Sequence, residues 1–407
     1  MKMLLMADIH LEHDDSQKGE DASPREVKSG FILDKIEELV SFHRPNALVI
    51  LGDLFDQHGI VGSRVASRAI DLLVGIQSKY GSKVILITGN HDQPDFEESS
   101  FGKSSISLLF KHRESDGVFV VDESARCIDV GQDANGRRVV VAGMPYRRSE
   151  TAFTATCLVP FEQSIAGIHA SHPDAIIVPC WHAGLPLNSR DWKEGASEGE
   201  SKAFGGDEPE NPWAVFAHPV MKPIFAAAHN GRVFLGHYHR PATEVSRDNK
   251  HFFQYIGSLA TRTRAESGEQ KQALLWEDGV LLALPTGLNF HIADTIEVVE
   301  KHVQDMIVLL GERVRPLLQV RVRLPKNATS EDYTQAKIRA ARLGVNAPDI
   351  DDLPTQRVTF ADALIAQYQE TGDRVTLERE VAMEAAKQQS FSAEDISMLT
   401  RVLDLVS

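Results

Sequence analysis

The sequence predicts an α/β protein, because apolar stretches of strand length alternate with helical patterns through the first part of the chain. Six such stretches are bounded by polar residues, which is typical of strands that are buried on both faces. Five of the six end in Asp, Asn or His, whose oxygen and nitrogen atoms bind metal ions. Because ligands bind beyond the carboxyl ends of strands in α/β sheets, we expect a metal site at this edge.

The stretch from Ala47 to Leu51 is followed directly by Gly52 and Asp53. A glycine there allows a sharp turn, which aims the Asp53 carboxylate out of the strand end. Gly-Asp after a strand is more often an ordinary turn. A site is indicated only because residues of metal-ligand type also follow other strands. The other stretches lead to Asp8 and His10, to Asn90 with His91 and Asp92, to His182, and to His237 with His239. The sixth, Val139 to Gly143, leads to Met144-Pro145-Tyr146 and carries no ligand.

The helices between these strands have clear start and stop signals. Ser23-Pro24-Arg25-Glu26 predicts a helix with a capping box and Pro at its first position, and Pro45 stops this helix before the next strand. Ser63 to Tyr80 is the second helix, with Gly81 as its end signal. Later predictions are helices at 101–112, 155–170 and 213–229, strands at 118–130, 138–142, 252–259, 272–277 and 280–284, and an acidic loop at 190–212.

The composition changes after Phe290. Leu318 to Leu324 alternates like a strand, Thr329 to Leu343 is a capped helix, and an acidic linker follows at Asp349 to Asp352. Three helical patterns near 360–371, 376–389 and 392–406 complete the chain. We therefore expect three parts: a catalytic domain at 1–290, a small α/β cap at 291–348, and a helical tail at 349–407.

Composition is that of an ordinary globular protein, with 407 residues, 42% hydrophobic and 25% charged. No apolar stretch approaches the length of a membrane span, so we expect no membrane association. The three cysteines, Cys127, Cys157 and Cys180, are far apart and form no disulfide framework, which favours a cytoplasmic location. A net charge of −15 argues against a surface that is basic throughout, although it leaves a nucleic-acid enzyme open.

The order and spacing of these motifs resemble the calcineurin-like metallophosphoesterase family. The resemblance is carried by Asp8-Ile9-His10, Gly52-Asp53 with Asp56, Gly89-Asn90-His91-Asp92, His182 and Gly236-His237-Tyr238-His239. It implies a two-sheet α+β sandwich flanked by helices, and two divalent cations. Mn²⁺ is expected first, with Mg²⁺, Fe²⁺ or Zn²⁺ as alternatives. One cation would take Asp8, His10, Asp53 and His239, and the other would take Asp53, Asn90, His182 and His237.

The resemblance also implies roles for two residues beside the ligands. His91 would protonate the leaving oxygen or stabilise the transition state, and Asp92 would orient His91 or brace its loop. Two further residues keep alternatives open. Asp56 is either a turn-capping carboxylate or a catalytic one, and His58 is either an exposed loop histidine or a second catalytic imidazole.

Within the family, three features favour a DNA nuclease of the SbcD type. Gly52-Asp53-Leu54-Phe55-Asp56 with Gly89-Asn90-His91-Asp92 and the segment Gln254 to Ser258 are similar to that group, and a domain is added after residue 290. Between 313 and 342, eight basic residues stand against two acidic ones. Arg321 and Arg323 project from one face of the predicted strand, which suits contact with phosphates. The alternative is a solvated sheet edge, where charged residues prevent pairing with another chain.

This resemblance implies three partners: DNA, an SMC-like ATPase that docks on the C-terminal helices, and a second copy in a homodimer. Glu12 departs from the pattern, because nuclease relatives usually carry Gly there. The alternative function is therefore a general phosphoesterase that acts on small phosphodiesters, nucleotides or phosphoproteins. A non-enzymatic interaction protein is the remaining reading, and loss of a ligand would favour it, but none of the seven is missing.

Overall fold

The computed structural model describes residues 1–12, 23–56, 63–93, 104–147, 150–185, 218–325, 327–345 and 348–351. The chain divides into two compact units. The first comprises Met1–Ala293, Val299–Val320 and Gly344–Ala347, and the second comprises Asp294–Val298, Arg321–Leu343 and Pro348–Ser407. Most of the predicted tail lies outside the described residues, so the three-part division of the chain stays a prediction.

The first sheet has six strands in the order β12-β11-β1-β2-β3-β4. Strands β1 to β4 run parallel, whereas β11 pairs antiparallel with β1 and β12 antiparallel with β11. Parallel neighbours bring their carboxyl ends to one edge, which is where the predicted ligands follow. The strands are β1 Lys2–Met6, β2 Ala47–Leu51, β3 Lys83–Ile87, β4 Val118–Val121, β11 Gln272–Glu277 and β12 Val280–Pro285.

The second sheet also has six strands, in the order β5-β6-β7-β8-β10-β9. Its central strands β6, β7, β8 and β10 are parallel, and the outer strands β5 and β9 are antiparallel to their neighbours. The strands are β5 Arg126–Gln132, β6 Arg138–Met144, β7 Ile176–His182, β8 Arg232–Gly236, β9 Ala242–Val245 and β10 Phe252–Tyr255.

One apolar cluster lies between the two sheets. Leu5 and Val49 from the first sheet and Val141, Val178 and Phe234 from the second are among its members, each at most 2% exposed. Burying a side chain of this size stabilises the fold by ~1.5–3 kcal/mol, so the packing of the two sheets contributes strongly to stability. A second cluster covers the outer face of the second sheet and includes side chains of the helices packed there.

The helices flank the sheets, and α1 and α2 begin where the sequence predicts, whereas the regular α-helix within the predicted 155–170 segment begins only at Val159. Ser23 caps α1 and forms the predicted capping box with Glu26, and α2 ends before Gly81. Pro160 lies near the start of α5, after a π-helical turn at Thr154–Leu158. The helices are α1 Pro24–His43, α2 Ser63–Tyr80, α3 Ser105–Phe110, α4 Glu150–Phe153, α5 Val159–Ser171, α6 Met221–Ala227, α7 Ile296–Leu310 and α8 Ser330–Arg342. With these helices on two large mixed sheets, the predicted fold class is confirmed.

The prediction of one strand over 118–130 was wrong. The chain forms β4 in the first sheet, leaves it at Asp122, and enters the second sheet as β5. The apolar alternation is present in both halves, but alternation carries no information about which sheet a strand joins. The acidic segment from Asp349 was expected to be a linker, yet Asp349–Ile350 forms the short strand β15. The loop at 190–212 and the helical patterns after 360 lie outside the described residues.

Two short strands, β13 His291–Asp294 and β14 Gln319–Val322, complete the described strands. In the second unit, Arg321 and Val322 pair in parallel with β15, and α8 begins at a capping box formed by Thr329 and Asp332. A search of the described helices finds none with the length and apolarity required to cross a bilayer.

Candidate metal centre

Seven predicted ligands meet where the carboxyl ends of the two sheets lie together. Strands β1, β2 and β3 of the first sheet lead to four of them, and β7 and β8 of the second sheet lead to the other three. His182 is the last residue of β7, and the others follow their strands by one to four residues. The full set is Asp8, His10, Asp53, Asn90, His182, His237 and His239.

The backbone at the site adopts conformations that L-residues rarely take. Asp8, His10, Asp53 and His237 have φ values of 51°, 49°, 52° and 101°. Gly52 has φ +86°, and a Cβ there would lie 2.1 Å from Nδ1 of His182. Glycine is therefore required at this turn, both by the backbone and by the imidazole beside it. Such strain is held in place by the surrounding fold and is typical of functional sites.

The first group of candidate donors joins Asp8, His10 and His239, whose ligating atoms lie within 4.8 Å of one another. The Nε2 atoms of His10 and His239 face each other at 3.1 Å. Both carboxylate oxygens of Asp8 accept the main-chain N–H of His237, at 3.0 and 3.1 Å. This bond ties the end of β1 to the end of β8 and fixes the carboxylate between the sheets.

The second group joins Asp8, Asp53 and His182. Oδ1 of Asn90 lies 2.9 Å from Nε2 of His182 and 3.0 Å from Nδ1 of His237. Nδ1 of His182 lies 2.7 Å from the carbonyl oxygen of Leu51. Because a carbonyl can only accept, Nδ1 carries the proton and the neutral ring has its lone pair on Nε2. In its neutral form the ring therefore presents Nε2 to the site as the atom that can bind a metal.

Burial and mutual charge shift the pKa values of these groups. Burial raises the pKa of Asp8. Burial opposes ionisation of Asp53 as well, but the imidazoles of His182 and His10 outweigh it and hold the pKa of Asp53 well below its usual range. Burial would lower the pKa of His182, yet Asp53 raises it to about 9. Burial, with a smaller contribution from His182, lowers the pKa of His237 to about 3.

These residues fit divalent cations. Two carboxylates are buried close together, and imidazole nitrogens and an amide oxygen converge on them without a thiolate. Buried like charges are costly unless they are paired or coordinate a metal. Imidazole nitrogens that face each other, as in His10 and His239, are arranged as ligands of a shared metal would be. The donor set suits Mn²⁺, Fe²⁺, Mg²⁺ or Zn²⁺.

His91 and Asp92 lie beside the ligands in different ways. His91 donates its main-chain N–H to Oδ1 of Asp53 at 2.9 Å, and its ring packs edge-on against His10. Asp92 is fully buried and accepts main-chain N–H groups from Asp53, Phe55 and Gly89, at 2.8, 3.2 and 2.9 Å. Asp92 thereby braces the loops that carry Asp53 and Asn90. Burial raises the pKa of its carboxyl to about 7, with Asp53 as the next cause.

Asp56 has more contacts than a turn cap requires. Its Oδ1 lies 3.3 Å from Nδ1 of His10 and pairs with the guanidinium of Arg262, and its carbonyl oxygen accepts Nδ1–H of His91 at 2.7 Å. Asp56 therefore links the ring of one candidate ligand to the candidate acid. His58, the other open residue, lies outside the described residues.

Comparison with known proteins gives this site a family. The sequence model of the calcineurin-like phosphoesterases matches residues 1–241. The chain belongs to this family. A dimetal phosphatase from Danio rerio is among the similar solved structures, with 14% identity, 70% of this chain and 96% of that chain covered, and a TM-score of 0.40. The search of curated proteins found no match.

Membership of the family makes this phosphoesterase a metal-dependent hydrolase of ester bonds. Arg321 and Arg323, the predicted DNA contacts, are not among the groups at the metal centre and belong to the second unit. Both are exposed, with Val322 buried between them, as the alternation predicts. Nε of Arg321 donates to Oδ1 of Asp351 at 2.6 Å, so part of its charge is balanced within the unit.

Sequence reasoning missed several residues around the site. Tyr146 follows β6, the strand without a ligand, and its ring is parallel to that of His237 with centroids 6.0 Å apart. Arg262, Glu266 and Lys271 follow the Gly257-Ser258 segment and contact the candidate ligands or their neighbours. The available signals were a tyrosine at a sixth strand end and alternating charges after a glycine-serine turn. A tyrosine at a strand end does not show that its ring packs at the site. Alternating charges do not show whether the charged groups are buried or solvated.

Proposed function

We propose that this phosphoesterase is a two-metal phosphodiesterase whose substrate is DNA. The observation that supports the chemistry best is the convergence of donors from both sheets on Asp53. Its Oδ2 lies 3.6 Å from Nε2 of His10 and 3.5 Å from Nε2 of His182, one ring from each proposed cation site. A carboxylate in this position is placed to serve both sites at once.

In this proposal Asp8, His10, Asp53 and His239 hold one cation, and Asp53, Asn90, His182 and His237 hold the other. Cations bound by these residues would supply a water activated for attack on phosphorus and would offset the charge that develops on the phosphoryl oxygens. The protein keeps the donors rigid, because Asp92 holds the Asp53 loop and Leu51 holds the His182 ring.

His91 is proposed to supply the proton that the leaving oxygen needs. Because the carbonyl of Asp56 accepts from Nδ1 of His91, that nitrogen carries a proton in either charge state. The second proton of the imidazolium is therefore on Nε2, and this is the atom that would donate to the leaving oxygen. The ring is held near the site by its edge contact with His10, at 4.8 Å between centroids.

DNA as the substrate is supported by the resemblance of the Gly-Asp-Leu-Phe-Asp, Gly-Asn-His-Asp and Gly-Ser segments to SbcD-type nucleases, and by the exposed arginines of the second unit. Arg321 lies in β14 and Arg323 directly follows this strand, both are exposed, and arginines of this kind suit contact with a phosphate backbone. One observation favours the alternative of a general phosphoesterase. The pairing of Arg321 with Asp351 reduces the positive charge of this face.

The experiment compares two substrates under one set of conditions. Hydrolysis of linear duplex DNA and of bis(p-nitrophenyl) phosphate is measured with Mn²⁺ and with EDTA. Arg321→Glu with Arg323→Glu is expected to weaken activity on DNA while sparing the small diester. The control is Lys111→Glu with Arg113→Glu. It reverses two charges at the same spacing on an exposed part of the first unit. If the unaltered chain and the double variant hydrolyse the small diester equally well and neither hydrolyses DNA, the general phosphoesterase would be supported.

Two partner proposals follow from the resemblance to SbcD-type nucleases. We propose an SMC-like ATPase that binds the helical patterns after residue 372, and a homodimer of the chain itself. Residues 349–407 carry twelve acidic and five basic residues, which suits a protein partner better than DNA. A chain truncated after Gly372 should keep its metal-dependent activity and lose co-purification with the ATPase. Retained binding would contradict this assignment, and sedimentation of the full chain tests the dimer.

A further inference from the structure

Glu266 is a buried carboxylate on the outer side of the metal centre. It lies in the 3-10 turn Arg264–Glu266 and is 8% exposed. Its oxygens accept from Nδ1 of His239 at 3.2 Å, from Nζ of Lys271 at 2.7 Å and from the main-chain N–H of Arg262 at 3.1 Å. A carboxylate with this many donors is ionised and fixed in position.

The bond to Glu266 determines how His239 faces the site. A carboxylate only accepts, so Nδ1 of His239 carries the proton and the neutral ring has its lone pair on Nε2. That Nε2 is the atom that lies 3.1 Å from Nε2 of His10. His182 is oriented in the same way, but by the main-chain carbonyl of Leu51. His239 depends on a side chain instead.

His239 is also the candidate imidazole with the least support from burial. Its side chain is 25% exposed, whereas those of His10 and His182 are 1% and 0% exposed. Packing on all sides limits the rotamers of the buried rings. A partly exposed ring has more freedom, so a directional bond to its far nitrogen has a larger effect on its orientation.

Lys271 holds Glu266 in turn. It is 1% exposed, and its Nζ contacts Glu266, Glu269 at 2.8 Å and the carbonyl oxygen of His239 at 3.1 Å. A buried ammonium is stable only when it is paired, and here the carboxylates of Glu266 and Glu269 share that pairing. Lys271 thus binds both the main chain of His239 and the carboxylate on its ring.

We propose that Glu266, fixed by Lys271, is a positioning residue that sets the tautomer and orientation of His239 as a metal ligand. This rests on the proposed function, because it requires His239 to bind a cation. Removing outer partners of metal-binding histidines costs about 10–100-fold in metal affinity. The effect should fall on the cation site that contains His239 and spare the one that does not.

The test is calorimetric titration of the metal-free full chain with Mn²⁺. Glu266→Ala is expected to weaken one of two binding events by about 10–100-fold and leave the other unchanged. Glu266→Gln keeps an oxygen that accepts from Nδ1–H, so it should recover part of the affinity. Glu269→Gln is the matched control, because Glu269 contacts the same Lys271 ammonium and should leave both events unchanged.

A second measurement separates positioning from a general structural role. ¹⁵N spectra of the metal-free chain labelled at histidine report the tautomer of each ring, and His239 should lose its fixed Nδ1–H form in Glu266→Ala. Unchanged affinity at both sites in Glu266→Ala, or equal losses in Glu269→Gln, would overturn the proposal. If Glu266→Ala does not fold, Glu266→Gln tests the proposal through a smaller loss of affinity, which should again fall on only one of the two binding events. Failure of the unaltered chain to bind Mn²⁺ would instead overturn the proposed function as well.

Discussion

Oδ2 of Asp53 lies 3.5 Å from Nε2 of His182, so a carboxylate after β2 of the first sheet meets an imidazole that ends β7 of the second. The other oxygen of Asp53 accepts the main-chain N–H of His91 at 2.9 Å. Asp53 is therefore in contact with a candidate ligand of the opposite sheet and with the candidate acid. A change at this carboxylate should affect metal binding and catalysis together.

Asp53→Asn is expected to abolish metal-dependent hydrolysis. The amide keeps the shape and tolerates the left-handed backbone, but it removes the charge that both proposed cation sites share. Asp278→Asn is the control, because Asp278 has φ 47° against 52° for Asp53 and lies at a turn outside the site. Turnover of a chromogenic diester across a Mn²⁺ titration measures both. Near-normal turnover of Asp53→Asn at high Mn²⁺ would show that Asp53 does not bridge.

His91→Ala is expected to lower kcat by about 10²–10⁴-fold, the usual effect of a positioned acid–base group. Metal binding should be retained, because His91 reaches Asp53 through its main-chain N–H, which alanine keeps. Calorimetric Mn²⁺ titration beside steady-state kinetics checks both points. A lost metal equivalent in His91→Ala would instead make this histidine a ligand.

Gly52→Ala is expected to weaken metal binding more than its backbone strain explains. The added methyl would lie 2.1 Å from Nδ1 of His182, the nitrogen that bonds to Leu51. Gly81→Ala is matched to it, with φ +73° and no atom within 4 Å of the added methyl. Both variants should lose about 1–2 kcal/mol from the left-handed conformation. Only Gly52→Ala should also lose Mn²⁺ affinity, and equal affinities would contradict the assigned contact.

Stability should fall as the pH drops from about 6.5 to 4, in part because of His291. Burial, and then the charge of Lys28, lowers the pKa of His291 to about 4. The unfolded chain therefore binds a proton in this window that the folded chain does not, which favours unfolding. His291→Gln should remove roughly 1–3 kcal/mol of this pH dependence. Urea unfolding at several pH values gives the free energy of unfolding as a function of pH. A variant at the exposed His112 is the control, and the same pH dependence in both variants would contradict the prediction.

Most of the fold could be predicted from local patterns. Ser23 and Glu26 are a capping signal that needs no tertiary information, and the structure contains that bond in both directions. The run before Asp53 is apolar throughout because β2 is buried on both faces. The split of 118–130 could not be foreseen, because each half has the same period and the partner sheet is chosen by residues far along the chain.

The candidate site was predicted as a set of strand ends, and the structure brings that set together. Its outer support could not be predicted in the same way. Glu266 and Lys271 are charged residues in a short connecting segment, where solvent exposure is the usual outcome. Their burial depends on how this segment packs beside His239, which local sequence does not encode. Tyr146 could not be predicted either, because its place at the site depends on packing against the ring of His237, which follows another strand of the second sheet.

Strand β1 has neighbours from distant parts of the chain. Leu4 pairs with Leu48 on one side and with Leu275 on the other. A ribosome delivers Leu4 first, so during synthesis this strand keeps one open edge until β11 emerges, and the last ligand, His239, also precedes β11. A nascent chain that ends before Gln272 contains every candidate ligand but lacks β11 and β12 of the first sheet. A metal bound at that stage would be held by a first sheet in which β1 still lacks its β11 neighbour.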